Sequence, residues 1–298
     1  MAGSVSLSLV GPRRRSATEP FWVRVTLLTI AGLFLAVFLL MPLWVVVSSA
    51  LKEGLGGYVR ALGLPDTVSA VRLTLLVTGI AVPINVAFGL AAAWAVARFD
   101  FRGKALLVSL IDLPFSVSPV VAGMLFVLLF GAQGIFGPWL AEHGIRVIFA
   151  VPGLVLATLF VTFPFVAREL IPILEAQGPE QDLAALTLGA GPLRTAWHVT
   201  LPNVRWGLLY GTLLCTARAL GEFGAVSVVS GHVRGRTNTL PLHIETLYNE
   251  YQFTAAWAVS SLLVGVAVVT LIARKVLEWQ IRRALRSAQE HVTPGGAP

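Results

Sequence analysis

Two ionisable residues stand inside an apolar stretch: Arg218 and Glu222, in Ala217-Arg218-Ala219-Leu220-Gly221-Glu222-Phe223-Gly224-Ala225. Arg218 follows Val204 by about fourteen residues, on the order of 20 Å along a helix rising about 1.5 Å per residue. A lone charge at that depth is costly, and intramembrane ionisable residues pair or face polar space. A spacing of four puts both side chains on one helix face. Two readings stand: a self-neutralising structural pair, or a gate on the path of an anion. Gly221 and Gly224 would let a second helix approach closely.

Signatures of enzymes are absent from the sequence. It has no Gly-x-x-x-x-Gly-Lys-Ser/Thr phosphate loop, so the chain is not expected to hydrolyse ATP. It has no His-Glu-x-x-His, no Gly-x-Ser-x-Gly and no Cys/His cluster with metal spacing. No catalytic residue, cofactor or metal is expected. The five histidines are scattered, and the one cysteine, Cys215, lies in an apolar run and reads as a small buried hydrophobe.

The longest polar interruption is Gly178-Pro179-Glu180-Gln181-Asp182-Leu183-Ala184-Ala185-Leu186-Thr187-Leu188-Gly189, running on to Val199-Thr200-Leu201-Pro202. Pro179 suits a helix start, where its missing N–H is not needed. Gly189 suits a left-handed C′ position and a helix stop. Gly191-Pro192 opens a second short helix, and Pro202 is expected to close it. Such a hairpin between two membrane spans is built to dock on a partner. The candidate coupling residues are Asp182, Leu183, Ala184, Ala185, Leu188, Gly189, Leu201 and Pro202.

The elements that position these residues follow from composition. The chain has 298 residues, 56% of them hydrophobic and 12% charged, with a mean hydropathy of +0.80. A soluble domain of this size cannot hide so much apolar surface, so the class is all-α polytopic membrane protein. Six apolar runs, about 22–50, 68–97, 105–131, 149–172, 204–231 and 254–278, are each near the roughly 20 residues that cross a bilayer. The first follows Arg13-Arg14-Arg15 but is too long for a signal-peptide core of about 7–15 residues, so it reads as an uncleaved span. The expected organisation is a cytoplasmic tail at 1–20, a six-span domain at 21–282 with the hairpin at about 178–202, and a cytoplasmic tail at 283–298.

The net charge of +7 and the isoelectric point near 10.3 have a membrane explanation, so lipid and not nucleic acid is the expected surrounding. With the N-terminus inside, the inside segments carry fifteen of the 22 basic residues, among them Arg98, Arg168, Arg194, Arg205 and Arg274. The outside segments carry six: Lys52, Arg60, Arg72, Arg146, Arg234 and Arg236. Both termini and the 173–203 loop are therefore expected in the cytoplasm. Pro83 and Asn85, Pro114 and Pro119, and Thr162-Phe163-Pro164 interrupt three spans. They read either as a translocation path of broken helices or as kinks that fit helices together.

The hairpin's spacing resembles the EAA loop of bacterial ABC importer permeases. The triplet position is Leu183-Ala184-Ala185, followed by Gly189, Val199, Leu201 and Pro202; Leu183 departs from the family's acid, with Asp182 and Glu180 nearby. Arg218 to Gly224, the run Val229-Ser230-Gly231-His232-Val233-Arg234-Gly235-Arg236-Thr237-Asn238-Thr239-Leu240-Pro241-Leu242, and Tyr248-Asn249-Glu250-Tyr251 are similar to the W-type permeases of sulfate/thiosulfate ABC importers. The likeness covers nearly all six spans and is strongest from about 180 to 260. It implies a type I importer permease fold in a bacterial cytoplasmic membrane. It also implies a heterodimer with a second sulfate permease, two cytoplasmic ATPase subunits and an extracytoplasmic sulfate-binding protein. The alternatives are a molybdate or tungstate permease and, from another class, an ATP-independent anion transporter.

Overall fold

The computed structural model describes residues 20–292, without the side chains of 192, 193 and 281–292. The tails at 1–19 and 293–298 and the side chains of Arg282, Arg283 and Arg286 lie outside the described residues. Contacts divide the chain into two units, Met1–Val45 and Val46–Pro298. The first contains the helix Phe21–Leu35, a π turn Ala36–Leu40 and the start of the helix Met41–Ala50.

In the second unit, Pro65–Arg98, Val151–Gln177 and Phe253–Gln280 are long and apolar enough to cross a membrane, as is Phe21–Ala50 at the N-terminal end. Two helix pairs bring the number of spans to six if each pair is one crossing. Lys104–Ser116 and Pro119–Phe130 meet at 108°, and Ala196–Leu220 and Gly224–Ser230 meet at 49°. The third run, expected to be interrupted at Pro114 and Pro119, is a bent pair, and so is the fifth, where no break was expected. The third breaks because a residue before proline is pushed out of the helical region; Ser118, before Pro119, has φ −58° and ψ 133°, and Val117 is also extended. The last helix continues to Val292, past the boundary expected at 282.

Three helices form the centre of the second unit. Val82 and Ala93 of Pro65–Arg98 pack with Val166, Leu170 and Leu174 of the fourth span and with Val204, Cys215 and Ala219 of Leu201–Leu220. A polar knot sits among them. Asn85 Nδ2 donates to Thr162 Oγ1 at 2.7 Å and to the Leu159 carbonyl at 3.3 Å. Asn85 and Thr162 are 2% and 0% exposed, so these two polar residues join helices to one another. Gly224 does serve close approach, since a Cβ there would stand 2.9 Å from Pro119 Cβ; beside Gly221 no second helix comes close.

The two ends of the second unit are distinct. At one end, the Phe149 N–H donates to the Val229 carbonyl and the Leu240 N–H donates to Thr74 Oγ1, both within 3 Å. The loop before the fourth span, the loop after the fifth and the start of the second therefore meet there. At the other, Arg98 ends the second span beside the polar hairpin.

Candidate functional site

The hairpin folds as Glu180–Thr187 and then Pro192–Thr195. Its bend is a Schellman motif: the Gly189 N–H donates to the Leu186 carbonyl and the Ala190 N–H to the Ala185 carbonyl, both at 3.0 Å. Gly189 has φ +85°, the left-handed conformation expected of it. Pro202 does not close the second helix, contrary to expectation. Pro192–Thr195 passes through a π turn, Ala196–Thr200, directly into Leu201–Leu220. A proline at 202 lacks an N–H and would press its ring on the His198 carbonyl of a plain α turn. The wider turn, closed by the Leu201 N–H on the Ala196 carbonyl, lets the helix run through. The first span repeats the device, with a π turn at Ala36–Leu40 ahead of Met41-Pro42.

Asp182 points into the hairpin's own support. Its Oδ2 is 2.6 Å from Arg98 Nε, and its Oδ1 accepts from the Thr200 hydroxyl at 3.0 Å. Arg98 also donates from Nη1 to the Leu174 carbonyl at 2.8 Å. One carboxylate thus joins the hairpin helix to the π turn and to the end of the second span, and the arginine adds the fourth span. The side chains are 9% and 13% exposed, so the pair is largely withdrawn from water. Gln177 Nε2 donates to the Asn203 carbonyl at 3.1 Å, and Asn203 Nδ2 donates to Gln181 Oε1 at 2.5 Å.

The outer face of the hairpin is apolar. Leu183, Leu186 and Leu188 are 55%, 45% and 89% exposed, and Ala184 is exposed beside them. Trp197, on the π turn, is 64% exposed. Ala185 and Leu201 are half-buried and Pro202 is exposed. Arg98, Thr200, Leu186 and Trp197 were not singled out from sequence. Leu186 was findable, being three residues from Leu183 on the same face. Arg98 read as one basic residue among fifteen.

The intramembrane pair lies at the break in the fifth span. Leu201–Leu220 ends at Gly221, and Gly224–Ser230 begins on a new axis. Arg218 Nη1 is 2.5 Å from Glu222 Oε2, an ion pair in which Arg218 is 33% and Glu222 1% exposed. Glu222 therefore lies beyond the helix that holds Arg218. Its other oxygen, Oε1, accepts the Ala225 N–H at 2.9 Å and caps the helix after the break. The carboxylate holds both sides of the bend at once.

At the end remote from the hairpin, most polar groups satisfy one another. Arg234 pairs with Glu250 and, at 3.7 Å, with Asp66; His232 faces Glu245 at 3.4 Å. The Ser230 and Thr237 hydroxyls donate to each other's carbonyls at 2.6 Å. His243, 2% exposed, has Nε2 3.1 Å from the Thr67 hydroxyl, which donates to the Ala61 carbonyl, while Nδ1 has no partner among the described residues. With the Thr67 proton given to Ala61, the tautomer that suits this contact carries its proton on Nε2. Burial pushes the pKa of His243 down, against the pull of Asp66 and with that of Arg234.

Comparison with known proteins adds to this geometry. The profile of the family described as "Binding-protein-dependent transport system inner membrane component" matches residues 85–284. The sulfate transport system permease protein CysW of Synechocystis sp. is 51% identical over 260 residues, 87% of this chain and 94% of that protein. CysW of Escherichia coli K12 is 44% identical over 278 residues, 93% and 96% of the two chains. The sulfate transport system permease protein CysT of the same organism is 35% identical over 251 residues, 84% and 91%. Among solved structures, a bacterial ABC transporter involved in the import of the acidic polysaccharide alginate superposes with a TM-score of 0.72 at 16% identity, over 86% of this chain and 95% of that one. That last likeness concerns the fold.

Proposed function

Because the chain belongs to the family of binding-protein-dependent transport system inner membrane components, we propose that it is the membrane-spanning subunit of an ATP-driven importer of sulfate. The observation that carries this reading is the hairpin: an apolar outer face formed by Leu183, Leu186 and Leu188, on a base that Asp182 and Arg98 fix to the second and fourth spans. Exposed apolar side chains on a rigid mount suit helix-in-groove docking. The partner is a cytoplasmic ATPase subunit, since this chain has no phosphate loop of its own.

The working assembly pairs this chain with a second, related permease, two ATPase subunits and an extracytoplasmic binding protein. Relatives named CysW and CysT, and a solved alginate transporter in complex with a periplasmic protein, support it. ATP-driven closure of the ATPase pair moves the hairpins, and the brace passes that motion to the helix core. The spans then exchange between outward-open and inward-open states, a population shift driven by differential binding. The hairpin and both termini face the cytoplasm, as the excess of arginine and lysine on those segments directs. Sulfate is favoured over molybdate because the relatives at 35–51% identity above are sulfate permeases. The test is labelled-sulfate uptake in cells lacking their own sulfate importer and expressing the whole system. Uptake that needs this chain and ATP hydrolysis is expected; uptake indifferent to the ATPase subunits would remove the reading.

A further inference from the structure

About 26 residues separate Arg72 from Arg98 along one helix, or roughly 40 Å, so Arg72 stands at the far end from the hairpin. There a cleft of about 490 Å³ is bounded by Ser69, Arg72 and Leu76 of the Pro65–Arg98 helix and by Gly235 and Arg236 of the following loop. No carboxylate lines it. Among the described residues neither the Arg72 nor the Arg236 guanidinium has an ion-pair or hydrogen-bond partner. The contrast lies one step along the loop, where Arg234 is held by Glu250 and Asp66. The Ser69 hydroxyl donates to the Asp66 carbonyl at 2.8 Å, so its proton is committed. The donors left free are the two guanidiniums, over a floor of Leu73 and Leu76.

Arg72 and Arg236 are both exposed and line the same cleft, and the group that would neutralise them together is an anion able to accept several N–H donors at once. A guanidinium offers planar pairs of donors that match two oxygens of a sulfate or phosphate group. A carboxylate of Asp66 or Glu250 would have neutralised the cleft, yet both are turned to Arg234. We propose that Arg72 and Arg236 form a binding site for a tetrahedral oxyanion at the extracytoplasmic mouth of the transmembrane core. The anion is either free sulfate arriving on its path or the phosphate of a phospholipid headgroup whose chains lie along the apolar helix face below. The side of the membrane, and the free-sulfate case, rest on the function proposed above; the headgroup case needs only the cleft.

The assembled complex, purified in detergent and depleted of lipid, tests this with two probes. Labelled sulfate retention is measured by equilibrium dialysis without binding protein, and adducts of added phosphatidylglycerol are counted by native mass spectrometry. Wild type is compared with R72Q/R236Q and with R72K/R236K. Loss of the charges should weaken retention of one of the two anions at least about tenfold, with the lysine pair intermediate. A drop in sulfate retention identifies the free anion, and a drop in lipid adducts identifies the headgroup. The proposal is overturned if wild type retains neither anion, or if the glutamine pair matches wild type for both. It is equally overturned if the glutamine pair no longer co-purifies with its partners, because the charges would then serve subunit assembly. ATP-dependent sulfate uptake by the wild-type complex, measured in parallel, separates failure of this site from failure of the proposed function.

Discussion

Arg98 Nε and Asp182 Oδ2 are 2.6 Å apart, and this contact fastens the hairpin to the end of a span 84 residues earlier in the chain. Asp182 also holds Thr200 and Arg98 also holds the Leu174 carbonyl, so four segments meet at one ion pair. In the proposed function, a hairpin mounted this way would transmit displacement that a flexible loop would absorb.

Removing one member of this pair should cost more than removing both. Arg98→Ala strands a carboxylate that is 13% exposed, a loss of about 3 kcal/mol by the standard of largely buried pairs. Asp182→Ala strands the arginine in the same way. We expect each single variant to insert in the membrane but to be cut faster by protease within residues 178–202, and the double variant to regain part of that resistance. Equal sensitivity of single and double variants would mean that the two residues are not coupled.

A second double-mutant cycle separates the readings of Arg218 and Glu222. Glu222→Ala loses both the ion pair and the cap on Ala225, whereas Glu222→Gln can keep the cap through its amide oxygen. A purely structural pair predicts that Arg218→Ala/Glu222→Gln folds and retains most sulfate uptake. A gate predicts that the same double variant folds and stays inactive. Yield after size-exclusion chromatography and labelled uptake in the same cells distinguish the two.

The sequence was legible where physics is local. Six apolar runs of bilayer length and the left-handed bend at Gly189 each follow from a few neighbouring residues. Tertiary relations were less so. Asp182 read as a substitute for a missing acid near a helix start, but its partner Arg98 lies in another span and no spacing rule links them. Pro202 read as a helix end because a π turn, which lets proline stay within a helix, has no composition of its own. Arg218 and Glu222 read as one helix face, and the break at Gly221 instead places Glu222 at the head of a new helix.

His243 gives a dependence on pH. Its pKa is lowered by burial, so the native state holds fewer protons at this site than the unfolded state does. Stability from this site is therefore full above the ordinary histidine value of about 6.5, and is lost as pH falls below it toward the lowered value. Asp66 opposes and Arg234 reinforces the effect. The thermal midpoint of the purified protein should drop between pH 7.5 and pH 5, and His243→Gln should flatten that drop by a few degrees. An unchanged slope in the variant would assign the acid sensitivity elsewhere.

Orientation is open to reporter fusions. A reporter active only outside the cytoplasm should give signal at residues 140 and 240, which belong to the end where Phe149 meets Val229 and Thr74 meets Leu240. It should give none at residue 190 in the hairpin. Signal at 190 would invert the topology and remove the ATPase from its proposed dock.

Docking of an ATPase on the apolar face of the hairpin is tested most directly by co-purification with Leu183→Asp/Leu188→Asp. Both side chains are exposed, Leu188 at 89%, so their replacement leaves the permease fold intact and alters only what its partner meets. With the whole system expressed, the ratio of ATPase subunit to permease recovered on an affinity tag is the quantity to measure. We expect that ratio to fall at least about tenfold, the equivalent of 1.4 kcal/mol, with the variant present in the membrane at wild-type level. Recovery of the ATPase at the wild-type ratio would contradict the docking of an ATPase on this hairpin.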